Sequence, residues 1–94
     1  MDLMIMAKEI MEVQRDEVIG SKLNGRRNYV IRTDIWNGKI CMINGTYKHL
    51  EENGWLRETL KHIVEHNTRW YYFTYKKDYE EVRDRIIEMI KMQP

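Results

Sequence analysis

The stretch YVIRTDIWNGKICMIN, residues 29–44, decides the fold. Two β-rich runs flank Asn37-Gly38. Both central residues of a type I′ turn need positive φ, which Asn and Gly reach at little cost, so this stretch is a tight antiparallel hairpin. A two-residue loop sets the register: Trp36 opposite Lys39, Ile35 opposite Ile40, Thr33 opposite Met42 and Ile31 opposite Asn44. One face then carries Tyr29, Ile31, Thr33, Ile35, Ile40 and Met42, and it is assigned to the core. The other carries Val30, Arg32, Asp34, Trp36, Lys39, Cys41 and Ile43 and reads as mixed, either partly solvated or lightly covered.

Downstream, Asn44-Gly45 is expected to turn the chain, and residues 47–66 read as helical. Asn53-Gly54 divides them into a short helical turn and a main helix from Trp55 to His66. Leu56, Leu60, Ile63 and Val64 are expected on the inner side of that helix. Trp55, Thr59, His62 and His66 are expected on the outer side. Residues 68–76, TRWYYFTYK, form an aromatic strand. Asp78 is expected to cap the last helix with Glu81 as its capping-box partner, and Tyr79, Val82, Ile86, Met89 and Ile90 line the buried stripe.

Upstream, residues 2–19 carry Leu3, Met4, Met6, Ala7, Ile10, Met11, Val13 and Val18 on one broad side at helical spacing. Gly20 is expected to stop that helix, and residues 20–28 read as a loop holding Lys22, Arg26 and Arg27. The expected order is α-β-β-α-β-α. The fold class is therefore α+β: a three-stranded antiparallel sheet with packed helices, in a single domain over residues 1–94.

Composition bounds the function. Ninety-four residues with 43% hydrophobic and 33% charged side chains suit one modest core. Cys41 is the only cysteine, so an intramolecular disulfide and a cysteine-rich zinc site are both excluded. With no transmembrane-length apolar window and no signal-peptide pattern, the expected location is cytoplasmic, without membrane association. A formal net charge of +1 places no demand for nucleic acid. The single Ala and single Pro, beside abundant Ile, Lys, Asn, Tyr and Met, resemble coding by an AT-rich genome, as in phages and mobile elements.

Three readings of function compete. His62-Ile63-Val64-Glu65-His66 matches H-x-x-E-H, in which two His one turn apart could reach a zinc ion with Glu as base. The remote reading is thus a zinc hydrolase, but the candidates for a third ligand are His49, Cys41 or a stray carboxylate, and no pattern places any of them. The bland reading is two exposed histidines on a charged helix. Second, Arg69, Tyr71, Phe73 and Tyr75 alternate on one strand face, with Lys76 and Lys77 beyond; aromatics on an open sheet stack unpaired bases. Against it, a small sheet needs large side chains in its core.

The leading reading is a non-enzymatic protein without cofactor or metal, an inhibitor or adaptor that docks on another protein. Its contact residues would be Trp36, Trp55, Thr59, His62 and His66, with Arg26 and Arg27 at the rim. A phage-encoded inhibitor of a host system fits that size and composition. The Met-rich stripe of the first helix also suits a homo-oligomer. No nucleophile elbow, phosphate loop or dinucleotide fingerprint is present.

Overall fold

The computed structural model describes residues 27–94. The expected helix over 2–19, together with Lys22 and Arg26, lies outside the described residues. The elements run β1 (Tyr29–Trp36), β2 (Lys39–Thr46), α1 (Tyr47–Glu52), α2 (Leu60–His66), β3 (Arg69–Phe73) and α3 (Lys76–Lys91). The three strands form one antiparallel sheet in the order β2-β1-β3, an α+β architecture with β1 central.

The hairpin has the expected register, from Trp36 opposite Lys39 to Ile31 opposite Asn44. Asn37 at φ 51° and Gly38 at φ 77° make its turn, as a two-residue loop requires. The pairing runs on through Asn44-Gly45, where a turn was expected, to Tyr29 opposite Thr46. The chain turns only after Thr46, whose hydroxyl accepts from the His49 amide and caps α1. Gly45 serves packing instead: a Cβ there would lie 3.2 Å from Leu50 Cδ1, and Leu50 is fully buried.

On one face of the sheet lies the core. Ile31, Ile40, Tyr71 and Phe73 meet Tyr79, Val82, Ile86 and Met89 of α3, with Tyr29, Ile35, Met42 and Ile90 packed around them. The α3 residues recur at three- and four-residue spacing, which builds one apolar stripe along about three turns. Tyr79 stacks on Tyr29 at 4.9 Å between ring centroids, and its hydroxyl donates to Asn44 Oδ1. The helix starts two residues earlier than Asp78, with Tyr75 at the N-cap position and no side-chain cap. Asp78 falls in the first turn, where its charge suits the helix dipole, so the expected capping box is absent. Just beyond α3, the Gln93 side-chain amide accepts from the Ile40 N–H and donates to the Ile40 carbonyl. It pairs with the edge of β2 as a strand residue would.

The opposite face is covered by the two short helices α1 and α2 and the loop between them. Among the described residues, no helix is long and apolar enough to cross a membrane.

Candidate functional site

The covered second face is closed by charge. Arg32 and Asp34 alternate with the core residues of β1, so both point away from α3. They are 2% and 5% exposed. Arg32 Nε donates to Asp34 Oδ2 at 3.0 Å and Nη2 donates to Oδ1 at 3.3 Å, a two-point pairing of the planar groups. Nη2 also donates to Glu58 Oε2 at 2.8 Å, and Nη1 donates to the Trp55 carbonyl at 3.1 Å. Thr68, fully buried, donates its hydroxyl to Asp34 Oδ1.

His62 closes the group. Its Nε2 lies 3.2 Å from Asp34 Oδ1 and 3.1 Å from Arg32 Nη2. One ring nitrogen can donate to the carboxylate or accept from the guanidinium, not both at once. Both Nη2 hydrogens are already directed at carboxylates, so a proton on Nε2, donated to Asp34, completes the network. His66 Nδ1 lies 3.1 Å from the Ile35 carbonyl, which only accepts, so that nitrogen carries the proton.

Burial pushes the Asp34 carboxyl up, but hydrogen bonds from Thr68, Arg32 and His62 outweigh it and hold the group below the usual carboxylate range. The hydrogen bond from Arg32, aided by the nearby His62, holds the Glu58 carboxyl low against a smaller effect of burial. Arg32 is held charged by the same two acids despite its burial.

Aromatic rings surround this network. Trp36 stacks on His66 with centroids 3.6 Å apart and 17° between planes, and meets the His62 ring edge-on at 5.8 Å. The Arg32 guanidinium lies 5.8 Å from the Trp55 ring and 5.7 Å from the Trp70 ring. Trp70 Nε1 donates to the same Trp55 carbonyl that Arg32 holds. Trp36 and Trp55 nevertheless remain 46% and 40% exposed.

The structure thus brings together Trp36, Trp55, His62 and His66. It corrects their setting. The main helix is seven residues long instead of twelve, because Trp55–Glu58 is an irregular loop ended by Thr59 as N-cap. His62 and His66 face inward, toward the polar sheet face, while Leu60 and Val64, expected inside, are 76% and 73% exposed. The physical reason is that a buried Arg–Asp pair needs polar neighbours, so the helix presents its polar side to the sheet. Thr59 holds the helix end, its hydroxyl accepting from the His62 amide. Thr59→Ala is expected to cost about 1 kcal/mol, read as a lowered urea midpoint with an unchanged m-value.

The H-x-x-E-H pattern is divided by this geometry. Glu65 points outward, 3.9 Å from Lys61 Nζ, while the cation among Asp34, Glu58 and His62 is the Arg32 guanidinium. Among the described residues, no group of three His, Cys, Asp or Glu side chains is placed to hold a metal ion. The alternative stacking platform is corrected as well: Tyr71 and Phe73 are buried beneath α3, which covers that face of β3. Burial pushes the Tyr71 hydroxyl up to about 12. Arg69, Tyr75, Lys76 and Lys77 remain exposed around them without forming a continuous open face. Arg27 lies over the Tyr72 ring at 4.7 Å, at the other end of the sheet from Trp36.

Arg32, Asp34, Glu58, Thr68 and Trp70 are the members that sequence reasoning did not single out. The available signal was Arg32 and Asp34 two residues apart on one face of the central strand. Compared with protein-family models, with curated proteins and with solved structures, the chain matches none.

Proposed function

We propose that this is a non-enzymatic docking protein, an inhibitor or adaptor, whose contact surface for another protein is built on Trp36 and Trp55. The observation that carries this reading is that two half-exposed tryptophans are supported from beneath. The Trp36 ring rests on His66, while the Trp55 backbone carbonyl accepts from Arg32 and Trp70 and its ring lies 5.8 Å from the Arg32 guanidinium. A large ring that is already supported loses less freedom on binding, and Trp dominates binding hot spots. Exposed Lys39, Arg57 and Lys61 provide charge near these rings in the chain. The buried network acts as scaffold: Asp34 and Thr68 are sealed from solvent, and every acid in it is engaged by a donor.

The test places a photo-reactive residue at Lys39, opposite Trp36 on the same side of the hairpin, in cells of the native host. A discrete protein adduct is expected. Trp36→Ala and Trp55→Ala are each expected to weaken partner binding by about 2 kcal/mol, roughly thirtyfold, and to reduce the adduct accordingly. The same probe at Glu88, on α3, serves as control. Equal adducts from both positions, or adducts removed by nuclease, would refute protein docking at this surface.

A further inference from the structure

β2 is an edge strand, and its outer side is open over two residues. The two-residue hairpin makes Trp36 and Lys39 a hydrogen-bonded pair, so Lys39, Cys41, Ile43 and Gly45 turn their backbone groups inward to β1. Ile40, Met42, Asn44 and Thr46 turn theirs outward. Gln93 occupies both groups of Ile40, and Thr46, as N-cap of α1, commits its carbonyl to the first helical turn. Between them, the backbone N–H and C=O of Met42 and Asn44 meet no partner among the described residues.

We propose that this edge pairs with the same edge of a second copy of the chain, antiparallel about a two-fold axis at Ile43. Three observations choose this occupant. First, the edge is self-complementary. With Met42 of each copy opposite Asn44 of the other, every open backbone group finds a partner and the dimer is closed. A register shifted toward the hairpin would need Ile40, and one shifted toward α1 would need the Thr46 carbonyl, both already engaged.

Second, the edge carries none of the usual guards against strand pairing. From Ile40 to Thr46 it has no charge, no proline and no bulge. Two copies therefore meet with no like charges opposed, since Lys39 falls opposite Tyr47 of the other copy. The other edge strand, β3, is five residues long and starts on the charged Arg69.

Third, the side chains suit the axis. Ile43 is half-buried and meets its own copy across a pair without hydrogen bonds, where side chains approach most closely. Exposed Cys41 falls opposite Gly45, which has no side chain to obstruct it.

The paired surface contains neither Trp36 nor Trp55, so the proposal is independent of the docking surface. Hydrogen exchange in the full, unaltered chain reads it directly. The Met42 and Asn44 amides are expected to gain roughly tenfold in protection between micromolar and millimolar protein, more than the Cys41 and Ile43 amides already bonded to β1. In a chain carrying Cys41→Ser, Ile43→Cys is expected to give a disulfide-linked dimer roughly tenfold faster than Glu88→Cys, a more exposed position on α3. Ile43→Lys, which sets like charges opposite each other on the axis, is expected to leave a folded monomer in sedimentation. A chain that stays monomeric at millimolar concentration with both amides exchanging freely would overturn the proposal. Protection that does not depend on concentration would overturn it too, and would give the edge to another part of the same chain. A dimer that survives Ile43→Lys, or equal linking rates from positions 43 and 88, would place the contact elsewhere and be equally fatal.

Discussion

Asp34→Ala is expected to be the most damaging single change on the α1–α2 side of the sheet, lowering stability by about 3–5 kcal/mol. The loss comes from what is left behind. Arg32 keeps its burial but loses two of its four directed acceptor contacts, and Thr68 loses its acceptor in a fully buried position. A domain of this size has a total stability of only about 5–10 kcal/mol, so the variant should be partly unfolded at ordinary temperature. Its urea midpoint should fall by about 2–3 M at an m-value near 1.5 kcal/mol/M. Arg32→Met with Asp34→Leu together should cost less than Asp34→Ala alone, because the buried guanidinium goes with its partner and the acid left behind, Glu58, is partly exposed to solvent. Equal or greater loss in the double variant would argue against a paired network.

The same carboxylate sets an acid limit. Asp34 and Glu58 are held below the ordinary carboxylate range in the folded state, so the unfolded chain takes up protons first as pH falls. Their contribution is therefore complete above the ordinary carboxylate range and is lost as pH drops through it toward the lower folded values. Thermal unfolding followed against pH should show this acid-side decline in the wild type and a flatter one in Asp34→Asn.

Phe73→Ala is expected to cost about 3–5 kcal/mol by a different route. Phe73 is the largest fully buried side chain among the described residues, at the end of β3 on the face that α3 covers, with Tyr79 edge-on at 6.2 Å. Truncation removes the transfer free energy of the ring and leaves a void that a three-stranded sheet under one helix cannot close completely. Because no charge is involved, the loss should be the same at pH 7 and at about pH 3, whereas that of Asp34→Ala should shrink there as the wild type loses the contribution of its carboxylate. A loss below about 1 kcal/mol in urea unfolding would mean that the α3 side is not the principal core.

Much of this architecture is legible in the residues. Asn37-Gly38 determines the hairpin and, through it, which of Tyr29, Ile31, Ile35, Ile40 and Met42 face the core. The spacing of Tyr79, Val82, Ile86 and Met89 identifies the helix that covers them. On the second face, read as either partly solvated or lightly covered, hydrophobicity ceases to report burial, and the structure shows it covered. Leu60 and Val64 look like core and are exposed, whereas the charged Arg32 and Asp34 are buried. A seven-residue helix spans less than two turns, so its periodicity cannot outvote a buried ion pair on the strand beneath it. The tryptophans of the candidate site were visible as large rings at a hairpin tip and beside Asn53-Gly54. Their support by His66, Arg32 and Trp70 depends on contacts across up to 31 residues of chain, which no local pattern encodes.

The central claim is that buried charge on the second sheet face holds Trp36 and Trp55 in position for docking. NMR-detected hydrogen exchange of the Trp70 indole N–H, which donates to the Trp55 carbonyl, reads this directly in the full chain. In Asp34→Asn the indole should exchange roughly tenfold faster, beyond any change at the Tyr71 amide on the core side. An indole that exchanges at the wild-type rate, or that changes only in step with Tyr71, would contradict the claim.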